Sequence, residues 1–172
     1  YAGGMNTGIR YARSTYGKGS CLLLNNDVTL REGFLREIGA FASKSPSSAI
    51  VQGKTRQYHD RARLDSAGNE MDRLGGTRCR GYGEVDEGQY DSLANRGFFY
   101  ASGAAMLIQD VFLSAFNDSD YLDPELFAYH EDVDICWFAR MLGFEVSVCP
   151  EAICYHKGGS SLRGDKSLRV QY

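Results

Sequence analysis

The chain lacks any apolar run approaching the roughly 20 residues that a membrane-spanning helix needs. It also lacks a signal peptide, because Tyr1 leads directly into glycines. An initiator Met is missing as well, which indicates that the native N-terminus lies elsewhere. The missing signal is therefore weak evidence about the parent protein.

A strong charge of one sign is missing too. The chain has 19 basic and 22 acidic residues, giving a formal charge of −3. Lys and Arg are scattered, and the cluster at 56–63 is short and mixed, as on a solvated face. We therefore expect no nucleic-acid partner reached through charge alone. The 43% hydrophobic residues in 172 are enough for one globular domain with a core.

No Cys-x-x-Cys pair occurs among the five cysteines, and an odd number leaves one over after any pairing. Cys21, Cys136 and Cys149 lie within apolar runs. These features favour reduced, buried thiols in a reducing compartment over a disulfide framework or a zinc site.

The first third of the chain predicts alternating helices and strands. A Gly-rich turn and a short helix are predicted within 1–17, and strands at 21–24 and 49–54. The apolar run at 21–24 is uninterrupted, which is typical of a parallel strand buried on both faces. Thr29 to Glu32 form a capping box that predicts a following helix. Its inward residues should be Phe34, Leu35, Ile38 and Phe41. This order predicts an α/β fold.

The rest of the chain begins with a polar stretch. Residues 52–97 predict a long functional loop containing a hairpin, and FFYASGAAMLIQ (98–109) predicts a strand with a glycine kink. HEDVDICWFARMLG (130–143) is the clearest helix, with Gly143 as its left-handed C-terminal cap. The following strand should end at Pro150, and a last short strand should reach His156.

Three polar clusters each follow an apolar segment. They are Asn25-Asn26-Asp27, then His130-Glu131-Asp132 with Asp134, and finally His156 with its Gly-Ser tail. Ligands gather beyond the carboxyl ends of strands in open α/β sheets, so the three clusters could converge on one crevice. Taken singly, each has a plainer interpretation as a turn, a helix-start acid or an ordinary histidine.

These clusters carry the side chains of a metal-dependent transfer site. Asp27 and His156 offer a carboxylate and an imidazole to Mn²⁺ or Mg²⁺, which can complete its shell with substrate phosphates. Asp132 lies in the first turn of its helix, where the macrodipole favours the ionised form, although Glu131 opposes this. An ionised carboxylate facing a crevice can act as a general base.

The order of the motifs resembles a known family. The motifs are YAGGMNTG, LLLNND, LDSAG, RGYGEVDEGQYD, FFYASGAAMLI, LDPELFAYHEDVDICW and a late His followed by Gly and Ser. From residue 1 to about 161 the chain resembles the inverting nucleotide-sugar glycosyltransferases of family two. It looks most like rhamnosyltransferase-type enzymes of bacterial or archaeal surface polysaccharide synthesis. The resemblance implies a partial GT-A, Rossmann-like fold with a mostly parallel central sheet flanked by helices.

The resemblance also implies roles by position. The Asn25-Asn26-Asp27 triplet stands at the place of the family's Asp-x-Asp motif, whose last acid holds the metal at the donor diphosphate. The implied residues are Asn6, Asn25, Asn26 and Asp27 for the donor, Gly103 and Glu131 for the acceptor, Asp27 and His156 for the metal, and Asp132 as the catalytic base.

The implied partners are a nucleotide-diphosphate sugar and a glycan or lipid-linked acceptor, in the cytoplasm or at the inner face of the membrane. The family's nucleotide-binding strands do not precede Tyr1, so 1–172 should be a single catalytic domain truncated at both ends. An exposed sheet edge should then favour self-association. The alternatives are a non-catalytic fragment or binding module, a retaining transferase on the same fold, and a metal-dependent hydrolase.

Overall fold

A computed structural model describes residues 1–93, 98–116, 120–126 and 129–158. The helices are α1 (Ala2–Tyr16), α2 (Phe34–Lys44), α3 (Asp110–Leu113) and α4 (Glu131–Met141). The strands are β1 (Cys21–Leu24), β2 (Val28–Leu30), β3 (Ser48–Gln57), β4 (Leu64–Ser66), β5 (Asn69–Met71), β6 (Thr77–Cys79), β7 (Ala105–Ile108) and β8 (Glu145–His156). None of the helices in these ranges has the length and apolarity of a membrane span.

The central sheet is mixed. Its strands lie in the order β1, β7, β3, β8, β2, with β4 beside β3. The predicted α/β class with flanking helices is confirmed. The expected parallel pairing is found between the two longest strands, β3 and β8. The other pairings of this sheet are antiparallel, including that of β1. An apolar run indicates burial on both faces but carries no information about strand direction.

Both faces of the sheet are covered. Ile50 and Met106 face a core that includes residues of α1, α3 and α4. Their neighbours Val51 and Leu107 face the opposite core, which is built around Phe34 of α2. Consecutive strand residues point to opposite faces, so both must be apolar. This explains the uninterrupted apolar runs in the sequence.

The capping box predicted at Thr29 to Glu32 is wrong. Thr29 lies in β2, which pairs with the end of β8, and α2 begins after Gly33, whose φ is 84°. Sheet pairing over a long sequence distance therefore prevails over a local helix signal. Ile38 is buried as predicted, whereas Leu35 is 64% exposed.

The predicted strand end at Pro150 is also wrong, because β8 runs through it to His156. The register between β3 and β8 shifts at Gly53, where Cys149 is followed by a bulge of three residues before pairing resumes at Ile153. Proline has no N–H to donate and is tolerated at a bulge. The bulge makes one continuous strand out of the two predicted ones.

Several predicted elements differ only in extent. The glycines expected to form a turn lie inside α1, and 98–109 contains a strand only at Ala105–Ile108. The hairpin expected within 52–97 is confirmed as β5 and β6, although 94–97 lie outside the described residues. Gly143 has the predicted positive φ, at 85°.

The outer strands of the central sheet are β1 and β2, as far as the described residues show. In β1 the side chain of Leu23 is buried, and Leu24 is 36% exposed. The apolar exposure of this strand is thus limited mainly to Leu24. Self-association through the edge of β1 stays a prediction, which sedimentation velocity of the isolated chain can test.

Gly53 is the position in β3 where we expect a side chain to be least tolerated. A Cβ atom there would collide with the Phe34 ring and lie 2.8 Å from the carbonyl oxygen of Ala152. The ring can shift, but the carbonyl belongs to the backbone. We expect Gly53→Ala to lower the free energy of unfolding by about 1–3 kcal/mol, as overpacking does. Chemical denaturation measures this change.

Gly39 in α2 is the matched control. Nothing lies within 4 Å of a Cβ atom built at this position. Gly39→Ala should raise the free energy of unfolding by about 0.5–1 kcal/mol, because alanine favours the helix over glycine. The packing argument fails if both substitutions shift the denaturation midpoint in the same direction.

Candidate active site

The first predicted cluster lies between β1 and β2, beside the end of β8. Asp27 precedes β2, whose pairing places Val28 opposite His156. The backbone N–H of Lys157 donates to the carbonyl oxygen of Asp27 over 3.1 Å. These contacts bring Oδ1 of Asp27 to 3.5 Å from Nε2 of His156. The predicted approach of these two side chains is confirmed.

Asp65 in β4 is the third member of this group. Its Oδ2 lies 2.9 Å from Nδ1 of His156. Thr55 of β3 pairs with Ser66 of β4, whereas the next residue, Arg56, pairs with Leu64. Asp65 lies between the two paired positions and is the extra residue of a bulge. Bulges often re-aim side chains beside active sites. Asp65 is a site residue that the sequence did not reveal, and its only signal is its place in the LDSAG motif.

The imidazole of His156 therefore has a carboxylate near each nitrogen, and we call Asp27, Asp65 and His156 the acid–histidine cluster. The hydrogen bond to Asp65 raises the pKa of His156; burial opposes this, and both carboxylate charges add to it. A carboxylate accepts and cannot donate, so Nδ1 must carry a proton for the 2.9 Å contact with Asp65 to be a hydrogen bond. The lone pair of Nε2 is then left on the side of Asp27.

A polar cleft of about 370 Å³ opens beside this cluster. It is lined by Gln57, Tyr58, His59, Asp65, Tyr82, His156, Lys157 and Gly158. The ammonium of Lys157 lies 4.9 Å from the centre of the Tyr58 ring. The volume falls in the range of small-molecule sites. Asp65 and His156 of the acid–histidine cluster thus line a cleft that a ligand can enter, and Asp27 does not line it.

Asp132, the predicted base, is held at the start of α4. Its Oδ2 accepts the backbone N–H of Gly103 over 3.0 Å, and its Oδ1 accepts that of Val133 over 2.9 Å. Burial raises the pKa of Asp132, although these two N–H groups oppose the effect. The hydroxyl of Tyr1 donates to the Gly103 carbonyl over 2.9 Å. Asp132 is therefore fixed in position, with a weakened preference for the ionised form.

Glu131 precedes Asp132 and is the predicted acceptor-binding acid. It is 7% exposed, and its Oε2 has no hydrogen-bond partner within the described ranges. Burial, and to a lesser extent the Asp132 charge, raise the pKa of Glu131. The preceding Tyr129 and His130 have φ of 73° and 67°. Such strained backbone clusters at functional sites, and an unpartnered buried carboxylate oxygen is itself unusual in a folded protein.

Contacts connect Asp132 with the acid–histidine cluster. The N–H of Asn25 donates to the carbonyl of Ala104 over 3.0 Å, one residue from the glycine that binds Asp132. Asn25 begins the Asn-Asn-Asp triplet, and Asp27 of this triplet contacts His156. The turn that holds Asp132 is thus joined through the backbone to the segment that bears Asp27.

Asn6, a predicted donor-binding residue, makes its side-chain hydrogen bonds within the chain, and its donor role stays a prediction. Its side chain is buried. Nδ2 donates to the carbonyl of Leu122, and Oδ1 accepts the N–H groups of Tyr121 and Leu122. Asn6 therefore ties α1 to this segment. Asn25 is half-buried and Asn26 is exposed, and their donor contacts stay a prediction.

The residues present fit the cation predicted from the sequence, Mn²⁺ or Mg²⁺. Metal–ligand bonds of about 2.1 Å allow two ligand atoms of one ion to lie up to ~4 Å apart, and Asp27 and His156 satisfy this at 3.5 Å. The described part of the chain holds no group of three or more His, Cys, Asp or Glu side chains suited to a metal. Phosphate oxygens or water would have to supply the other ligands.

Comparison with known proteins identifies the family of the chain. The family described as "Glycosyltransferase like family 2" matches residues 2–169. The low-salt glycan biosynthesis hexosyltransferase Agl10 of Haloferax volcanii is 27% identical over 161 residues, which cover 91% of this chain and 48% of that relative. The chain thus spans about half the length of the curated relative it matches. Because the family match extends over nearly the whole chain, the chain belongs to glycosyltransferase family 2.

Proposed function

We propose that the protein containing this chain transfers a sugar from a nucleotide-diphosphate sugar to a glycan or lipid-linked acceptor, with inversion. The observation that carries the proposal is Asp132, a carboxylate of raised pKa held by the N–H of Gly103, whose neighbour Ala104 accepts the N–H of Asn25 in the Asn-Asn-Asp triplet. Family membership and the glycan-synthesis relative support the substrate class. The rhamnosyltransferase type and a role in surface polysaccharide synthesis belong to the same proposal.

The chemistry assigned to Asp132 is general base catalysis. Its carboxylate takes the proton of the acceptor hydroxyl as that oxygen forms a bond to the anomeric carbon. The bond from that carbon to the diphosphate breaks in the same displacement, which inverts the centre. The backbone amides of Gly103 and Val133 hold Asp132 in place throughout.

The other named residues bind and orient. Glu131 is assigned to the acceptor because it stands next to Asp132 in the family motif. At Gly103 a Cβ atom would lie 3.1 Å from the Tyr1 hydroxyl, so glycine keeps this turn close to Asp132. Asp27 and His156 would hold the cation. When bound, a divalent cation offsets the charge on the departing diphosphate.

The test of this function uses the complete protein and a panel of nucleotide sugars. Incubation with glycan and lipid-linked acceptors should yield one product, whose anomeric configuration is opposite to that of the donor by proton NMR. A product that keeps the donor configuration would indicate the retaining alternative. Donor hydrolysis without transfer would favour the hydrolase, and binding without turnover would favour a non-catalytic module.

A further inference from the structure

Asp65 is the one member of the acid–histidine cluster for which the sequence predicts no role. Its side chain is 22% exposed and that of His156 is 18% exposed, so solvent screens their contact only in part. The distance of 2.9 Å between Oδ2 and Nδ1 is that of a direct hydrogen bond. Asp27 lies near the opposite nitrogen of the same ring, with its side chain 14% exposed.

The backbone fixes this geometry from both sides of β3. His156 lies opposite Gln57 in the parallel pairing of β3 with β8. Asp65 lies on β4, which pairs with β3 one and two residues before Gln57. The bulge at Asp65 lets a residue between two paired positions point its carboxylate at the imidazole. The contact is thus built into the sheet and does not depend on a surface loop.

We propose that Asp65 is a positioning residue that holds the proton of His156 on Nδ1 and so directs the Nε2 lone pair to the cation shared with Asp27. A metal-binding histidine commonly donates its second ring N–H to a carboxylate, which fixes the tautomer and the ring orientation. Asp65 occupies this place. The inference rests on the proposed function because it takes His156 as a metal ligand.

Three substitutions of Asp65 and a neighbour separate charge from shape. Asp65→Asn keeps the shape of the side chain but removes the charge that demands a proton on Nδ1. Asp65→Glu keeps the charge at the cost of a longer side chain. Asp60→Asn is the matched control, because Asp60 is exposed, precedes β4 and pairs with Arg63.

Two measurements on the complete protein test the proposal. Long-range proton–nitrogen NMR reports which nitrogen of neutral His156 carries the proton, and electron paramagnetic resonance of free Mn²⁺ reports affinity for the metal alone. We expect the Nδ1–H tautomer in the wild type and a mixed or Nε2–H tautomer in Asp65→Asn. Mn²⁺ affinity should fall about 10- to 100-fold in Asp65→Asn, recover in part in Asp65→Glu and stay within about twofold in Asp60→Asn.

The outcomes divide cleanly. An Nε2–H tautomer in the wild type overturns the proposal, and so does an Mn²⁺ affinity that is unchanged in Asp65→Asn. If Asp65→Asn binds Mn²⁺ more tightly than Asp65→Glu does, then Asp65 supplies shape and not charge. Wild-type protein that binds no Mn²⁺ even with nucleoside diphosphate present would refute the metal assignment in the proposed function, while the tautomer measurement still decides whether Asp65 orients the ring.

Discussion

Replacement of Asp132 by Asn in the complete enzyme is expected to lower turnover about 10²- to 10⁴-fold, the usual range for loss of a general base. The amide keeps the size of the side chain but cannot take a proton from the acceptor. Donor affinity should change little, because Asp132 has no assigned contact with the donor. Steady-state kinetics and calorimetric titration of the donor measure the two effects separately.

The pH dependence of activity is a second test, because it would not change if Asp132 had only a structural role. The pKa of an ordinary aspartate is about 3.9, and burial raises the pKa of Asp132 above its usual value. The carboxylate of Asp132 therefore becomes ionised at a higher pH than an ordinary aspartate does. Activity should therefore fall as pH drops through this raised pKa. The linked contribution to stability has the opposite sign, since it is present at low pH and is lost as pH rises through the same pKa.

Asp134→Asn is the control for this prediction. Asp134 lies two residues later on α4, is exposed, and loses the same charge in the variant. It should retain wild-type turnover within about twofold. The base assignment is wrong if Asp132→Asn turns over at the wild-type rate. It is also wrong if the two variants lose activity equally, because the loss would then reflect the charge of the helix start.

The elements of the fold that could be predicted from sequence are those governed by local apolar patterning. Helix α4 and its Gly143 cap follow from helical spacing and from the freedom of glycine at positive φ. The directions of β1 and β7 could not be predicted in this way, because an uninterrupted apolar run is the same in either direction. The predictions of a capping box at Thr29 and of a strand end at Pro150 were wrong for a related reason. Pairing with strands far along the chain determines the conformation of both segments.

The residues of the candidate site also differ in how far the sequence predicts their positions. Asp27 and His156 could be predicted to meet because each follows an apolar strand of one sheet. Asp65 could not, because its orientation depends on a bulge and on the register of β4 against β3. The contact of Asn6 with Leu122 could not be predicted either, because the two residues are 116 positions apart. Residues at strand ends are thus more predictable than residues placed by a distant backbone segment.

Metal binding by the complete enzyme is expected to depend on nucleotide. Asp27 is the only charged residue of the Asn-Asn-Asp triplet, so the protein offers one carboxylate and one imidazole. Mg²⁺ keeps its waters and prefers phosphate oxygens, and the nucleoside diphosphate should supply much of its coordination. We expect nucleotide to tighten Mn²⁺ binding about 10- to 100-fold, within the usual range of coupling between two ligands. Calorimetry with and without nucleoside diphosphate measures this.

The same site should prefer Mn²⁺ to Mg²⁺, because an imidazole nitrogen suits Mn²⁺ better. Asp27→Asn should remove most of the coupling with nucleotide and lower metal-dependent turnover about 10³-fold, equivalent to about 4 kcal/mol of transition-state stabilisation. Glu32→Gln removes a charge at an exposed position just after β2 and should leave both quantities unchanged. Tight Mg²⁺ binding without nucleotide, or full activity in excess chelator, would show that Asp27 and His156 are not the metal site.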